Sequence, residues 1–165
     1  MIKVGDRIPD ATLTESTEFG EACPVSPKPV SVAEATKGKR IALFGLPGAY
    51  TPTCSAKHLP GFINNFDQLK AKGVDTVACM AVNDVFVMKA WGESAKATGK
   101  VQMLADGNGE YARALGLELD ASKFGMGQRG KRFSVIVQDG VVKSLNVEPP
   151  GEFGVSSAEA ALKQL

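Results

Sequence analysis

The sequence predicts an α/β fold in three layers: a central mixed sheet that includes an antiparallel hairpin, with helices flanking it. Three observations predict it. Residues 41–46 (IALFGL) and 75–82 (DTVACMAV) are short apolar runs bounded by Lys, Gly, Pro and Asn, as strands buried on both faces are. Between them Leu59, Phe62, Ile63, Phe66 and Leu69 recur at helical spacing, so the segment reads as a strand, helix, strand unit with a right-handed parallel crossover. Residues 133–138 and 141–147 flank Asp139 and Gly140, the two-residue turn signal of an antiparallel hairpin.

The remaining elements follow in order. Ser31 with Glu34 three residues on reads as a capping box that opens a short helix before the first apolar strand. The helix after that strand ends at 70–73, where two lysines suit the last turn and Gly73 stops it. Asn83 and Asp84 can cap a helix over 85–97, Val101 to Ala105 is a strand, and 109–115 is a short helix. Ser156 or Ser157 caps a terminal helix. Together these make one domain over 1–165, a three-layer sandwich of thioredoxin type; a flavodoxin-like sheet fits less well because of the hairpin.

Composition excludes several classes of function. The chain has 165 residues with 44% hydrophobic and 22% charged side chains, enough for one buried core without disulfides or a structural metal. Nineteen basic against eighteen acidic residues leave a formal charge of +1, which offers no footprint for nucleic acid. The least polar stretch, 41–56, is broken by Pro47 and Pro52, far from the roughly 18 apolar residues of a membrane span. The first residues lack an apolar segment and place Asp6 early, so a cytoplasmic location is expected. Cys23, Cys54 and Cys79 are an odd number and sit far apart. With one histidine, His58, they fit neither a disulfide framework nor a zinc pattern, and no metal or cofactor is expected.

Chemistry concentrates after the first apolar strand. There Pro47 to Cys54 (PGAYTPTC) leads into the helical pattern, which places Cys54 in the first turn of a helix at the carboxyl end of a buried strand. Free N–H groups and the positive end of the helix dipole favour thiolate over thiol. Pro47 and Pro52 stiffen the loop, Gly48 permits close backbone packing, and Thr51 is placed to offer its hydroxyl to the sulfur and to an oxygen bound beside it. The plainer alternative is a tight connection that happens to carry a buried thiol.

The string PGAYTPTCSAKHLPGF resembles the peroxidatic segment of the peroxiredoxins, P-x-x-x-T-x-x-C, and in detail it is similar to the type II, peroxiredoxin-five-like subgroup. VGDRIP near the start, Val82 to Asp84, Ala90 to Gly92, Leu104 to Asp106, and Lys131 to Ser134 followed by VQDGVVKSLNVE match the subgroup in order, over nearly the whole chain. The resemblance implies that Cys54 is the peroxidatic cysteine and Thr51 its hydroxyl partner. It also implies that Pro47 shields the site from water and that Arg132 holds thiolate and peroxide. It further implies a peroxide substrate, glutathione with glutaredoxin or else thioredoxin as reductant, and a homodimer.

Other residues carry competing readings. Arg129 and Lys131 beside Arg132 suit a solvated basic rim, with Arg129 as a supporting arginine. His58 follows Cys54 by four residues on one helical face; a catalytic base is one reading and a local hydrogen bond the other. Some subgroup members resolve the sulfenic acid with a cysteine after the late hairpin, but residues 149–157 here contain none. Cys79 matches a second cysteine of other members and is the possible resolving cysteine, although its apolar surroundings suit an inert thiol. Cys23 reads as an incidental surface thiol. The sequence therefore points to a thiol peroxidase recycled by an external thiol. A redox sensor or chaperone switched by Cys54 is the alternative, and a disulfide oxidoreductase is disfavoured by the lack of a C-x-x-C motif.

Overall fold

Seven strands form one sheet, in the spatial order Val141–Val147, Phe133–Gln138, Arg40–Gly45, Thr76–Ala81, Val101–Ala105, Thr12–Glu15, Lys28–Ser31, in the computed structural model, which describes residues 1–165. Its centre is parallel: β5 (Arg40–Gly45), β6 (Thr76–Ala81) and β7 (Val101–Ala105) run side by side, Phe44 opposite Cys79 and Cys79 opposite Met103. The hairpin of β10 (Phe133–Gln138) and β11 (Val141–Val147) continues the sheet antiparallel to β5, as the sequence predicts. Asp139 and Gly140 both take positive φ, 49° and 79°, the geometry of the tightest right-twisting hairpin turn.

The other edge departs from the expectation. β1 (Thr12–Glu15) and β4 (Lys28–Ser31) pair with each other, and β1 pairs antiparallel with β7. Two small ribbons are additional: β2 (Glu18–Phe19) with β3 (Pro24–Val25), and β8 (Glu118–Asp120) with β9 (Gln128–Gly130).

Side chains alternate between two core layers because strand residues point to opposite faces in turn. Ala42, Phe44, Val77 and Cys79 face one layer with Phe62, Met88 and Trp91, whereas Ile41, Leu43, Ala78 and Met80 face the other with Leu13 and Tyr111. The first layer lies under α2 (Leu59–Asn64), α3 (Phe66–Ala71), α4 (Val85–Ser94) and α6 (Ala158–Lys163); the second receives α5 (Glu110–Leu115). The short α1 (Val32–Thr36) opens on Ser31, whose hydroxyl accepts from the Glu34 N–H, and Ser157 rather than Ser156 caps α6 by accepting from Ala160.

Two helices differ in extent from expectation. The pattern from Leu59 to Leu69 is divided at Asn65, whose side-chain amide donates to the Gly61 carbonyl at 2.8 Å and bends the chain between α2 and α3. α4 starts at its Asp84 cap but stops at Ser94, three residues early, because Lys96 takes a left-handed φ of 61°. No helix is long and apolar enough to cross a membrane.

Candidate active site

Topology brings the site together. β10 runs antiparallel to β5, so its first residue, Phe133, pairs with Gly45 at the end of β5, and Arg132 arrives beside the loop that leaves β5. β11 returns with Val147 opposite Phe133, which puts Glu148 next to Arg132; the Glu148 N–H donates to the Arg132 carbonyl at 2.9 Å. Three segments, the loop after β5, the start of β10 and the end of β11, thus meet at the carboxyl edge of the parallel strands, where open α/β sheets place their ligands.

Cys54 opens a π-helical turn, Cys54–His58, preceded by helical Pro52 and Thr53 and continuous with α2. The wide turn, closed by the Leu59 N–H on the Cys54 carbonyl, is a form that recurs at functional positions in helices. The Cys54 side chain is fully buried, and the Arg132 Nη2–H donates to its sulfur at 3.2 Å. Arg132 Nη1 lies 3.0 Å from His58 Nδ1, and His58 Nε2 lies 3.0 Å from the Ser156 carbonyl oxygen. Because a guanidinium can only donate, Nδ1 is the acceptor and the ring proton sits on Nε2. Burial, aided by the charge of Arg132, lowers the His58 pKa to about 3 against the opposing pull of Ser156 and Glu148. His58 is therefore neutral, with its one acceptor nitrogen occupied by Arg132. It fills the local hydrogen-bonding role and makes no bond to Cys54.

Pro47 and Thr51 lie in the approach loop. The Thr51 hydroxyl donates to the Gly48 carbonyl at 2.8 Å, so its hydrogen is committed there and its lone pairs remain for a bound molecule. Asn83 Oδ1 accepts the Ala49 N–H at 2.9 Å, tying the loop to the end of β6. Arg129 supports the loop from the other side, donating to the carbonyls of Pro47 at 3.4 Å and Val82 at 3.2 Å. A Cβ on Gly48 would lie 2.9 Å from that guanidinium, so a larger residue here would displace the Arg129 side chain from the loop. Trp91 Nε1 donates to the Ser55 hydroxyl at 3.1 Å, placing the only tryptophan beside the reactive turn.

A groove of about 160 Å³ opens beside these residues, lined by Pro47, Thr53, Lys131, Arg132 and the 148–152 segment. A larger depression of about 510 Å³, lined by Asp75, Thr76 and Lys100, lies at the amino ends of the parallel strands, remote from Cys54. No three His, Cys, Asp or Glu side chains come together to hold a metal.

All three cysteines are free. Cys79 is fully buried in the central strand and shares a core layer with Cys54; burial first, then the neighbouring Cys54, pushes its thiol well above the ordinary range. Cys23 is exposed in the turn between β2 and β3. The sequence did not single out Phe153, which packs on both His58 and Arg132, or Glu148, which holds the segment around Ser156.

A thioredoxin-like sheet that carries a thiol in a first helical turn, bonded by a guanidinium, defines a thiol redox protein. Comparison with known proteins narrows the class. The Redoxin family model matches residues 3–162. Peroxiredoxin-2B of Arabidopsis thaliana is 48% identical over 164 residues, 99% of this chain and 98% of that one. The chloroplastic peroxiredoxin-2E-2 of Oryza sativa subsp. japonica is 51% identical over 167 residues, 99% of this chain and 72% of that one. A crystal structure of reduced Prx3 in complex with hydrogen peroxide from Vibrio vulnificus superposes with a TM-score of 0.90 at 48% identity, covering 99% of this chain and 98% of that one. The chain belongs to the redoxin family and, within it, to the type II, peroxiredoxin-five-like peroxiredoxins, which are thiol peroxidases.

Proposed function

We propose that the protein reduces hydrogen peroxide and alkyl hydroperoxides at Cys54 and that an external thiol, with glutathione and glutaredoxin favoured over thioredoxin, regenerates the cysteine. The observation that carries this reading is the 3.2 Å bond from Arg132 to the Cys54 sulfur. A guanidinium there donates to the sulfur and remains within reach of negative charge that develops on a neighbouring oxygen.

In the proposed reaction the Cys54 thiolate attacks one peroxide oxygen, the O–O bond breaks, and the second oxygen leaves as hydroxide or alkoxide and takes a proton from solvent to become water or an alcohol. Cys54 becomes a sulfenic acid. The Thr51 oxygen, its own hydrogen committed to Gly48, accepts the peroxide O–H and aligns the O–O bond with the sulfur. Pro47, half-buried at the groove, limits access of water. An external thiol then condenses with the sulfenic acid, releasing water and leaving a mixed disulfide, which a second thiol exchanges to restore Cys54.

Three observations support an external thiol. Residues 149–157 contain no cysteine, Cys79 is enclosed in β6, and Cys23 lies in the β2–β3 turn. Because Cys54 is itself fully covered, the turn that carries it opens before the mixed disulfide forms. The three free thiols also agree with a reducing, cytoplasmic setting. A homodimer is part of the same reading: Tyr50 in the loop before Cys54, Phe86 in the first turn of α4 and Phe124 are large apolar side chains left exposed.

The test is peroxide consumption with glutathione plus glutaredoxin, compared with thioredoxin plus its reductase. Faster turnover with the first is expected. Faster turnover with the second overturns the choice of reductant, and no turnover with either favours a redox sensor.

A further inference from the structure

Glu148 takes no part in the chemistry described above, yet it is one of few charged side chains buried in the protein. Its Oε2 accepts three hydrogen bonds, from the N–H of Gly154 at 2.7 Å, the N–H of Ser156 at 2.8 Å and the Ser156 hydroxyl at 2.7 Å. The carbonyl of that same Ser156 accepts the His58 Nε2–H; His58 Nδ1 accepts from Arg132; Arg132 reaches the Cys54 sulfur. The Glu148 N–H returns to the Arg132 carbonyl. Arg132, His58, Ser156 and Glu148 thus form a closed ring of hydrogen bonds with one free arm, the Nη2 that meets Cys54.

We propose that Glu148 is a positioning residue for the peroxidase: by fixing Ser156, and through it His58, it holds the Arg132 guanidinium on the Cys54 sulfur. The proposal rests on the peroxidase reading at Cys54. The directions of the bonds give it force. Arg132 only donates, which sets Nδ1 as acceptor and Nε2 as donor, and Nε2 then needs an acceptor held in place. That acceptor is a backbone oxygen in a segment, 148–157, without helix or strand of its own. Three donors converging on one carboxylate oxygen fix the segment instead, and bonds to an ionised acceptor are about twice as strong as neutral ones. Burial disfavours the Glu148 charge, but the bonds from Gly154 and Ser156 outweigh it and keep the carboxyl below its ordinary range. Phe153 lies against both His58 and Arg132, so movement of the segment also alters packing on the guanidinium.

The experiment combines a double-mutant cycle with a spectroscopic readout. His58 is the chain's only histidine, so ¹⁵N labelling of histidine in untagged protein reports one ring. In the wild type a single Nε2-protonated tautomer is expected from pH 5 to 8. Glu148→Gln preserves size and one acceptor oxygen but removes the charge. It is expected to give a tautomer mixture and to slow oxidation of Cys54 by hydrogen peroxide about tenfold. In an Arg132→Met background the same substitution is expected to cause no further slowing, because Glu148 acts through Arg132.

A Glu148→Gln protein that oxidises like the wild type, or one that costs another tenfold in the Arg132→Met background, overturns the positioning role. Ser156→Ala, which removes one of the three donors and retains the carbonyl, is expected to slow oxidation two- to threefold with the same non-additivity. It carries the test if Glu148→Gln fails to fold, and an unchanged rate overturns the proposal. A wild type that consumes no peroxide overturns the peroxidase reading itself, whereas an active wild type matched by its Glu148 variant overturns the positioning role alone.

Discussion

Cys54, Cys79 and Cys23 share a functional group and differ in what touches it. Cys54 meets a guanidinium, Cys79 meets only the packed core, and Cys23 is exposed. Thr51 acts at the same scale. Its hydroxyl hydrogen is committed to Gly48, which orients the oxygen lone pairs, so Thr51→Val should leave the fold intact while slowing Cys54 oxidation about five- to tenfold, the worth of one hydrogen bond. Thr51→Ser should recover most of the rate; equal rates for the Val and Ser variants in stopped-flow would make Thr51 a turn residue. His58 supplies a pH dependence. Its pKa is lowered to about 3 by burial and Arg132, whereas an unfolded histidine titrates near 6.5. Between those values the unfolded chain binds a proton that the folded chain refuses. The stability is therefore complete above pH 6.5 and is lost progressively as pH falls toward 3, by about 2 kcal/mol on reaching pH 5. Urea melts at pH 7 and pH 5 should show this loss in the wild type and not in His58→Gln; equal losses in both would contradict it.

At the scale of elements, register does the assembling. Pairing of Phe133 with Gly45 delivers Arg132 to the reactive turn, and it depends on Gly45 having no side chain, since a Cβ there would collide with the Phe133 ring. Gly45→Ala should therefore destabilise the protein by about 1–3 kcal/mol through overpacking and also slow Cys54 oxidation, because Phe133 directly follows Arg132. A variant with unaltered urea midpoint and rate would show that the strand ends adjust freely. The elements differ in how legible they were. β5, β6 and β10 are central strands with both faces buried, so they stand out as apolar runs, and Asp139 with Gly140 marks the β10–β11 turn. β1 (TLTE) and β4 (KPVS) have mixed polarity, and β4 is an edge strand containing Pro29; neither carries a periodic signal long enough to read. The division of one helical pattern at Asn65 depends on a side-chain bond to the backbone, which apolar spacing does not register.

Across the whole molecule, the residues proposed for the site from the sequence lie in a contiguous motif or a matching block: Pro47, Thr51, Cys54 and Arg132. The ring behind Arg132 was not legible because it links His58 to Ser156, 98 positions apart, through a backbone carbonyl that any residue type supplies. The proposed homodimer belongs to the same scale. Tyr50 is held at a left-handed φ of 62° and is 57% exposed, so it offers apolar surface for the proposed homodimer. Tyr50→Asp should shift sedimentation from dimer to monomer at micromolar concentration; a wild type that already sediments as a monomer would contradict the proposed homodimer.

The most direct test of the chemistry is to map where one equivalent of hydrogen peroxide leaves its oxygen. Reduced protein is mixed with peroxide in the presence of a 1,3-dione that traps sulfenic acids, digested, and examined by mass spectrometry. Labelling is expected at Cys54, with Cys23 and Cys79 unmodified, and is expected to become a glutathione mixed disulfide at the same residue when glutathione replaces the trap. Peroxide left unconsumed, label on Cys23, or a stoichiometric Cys54 to Cys79 disulfide within one chain would contradict the mechanism.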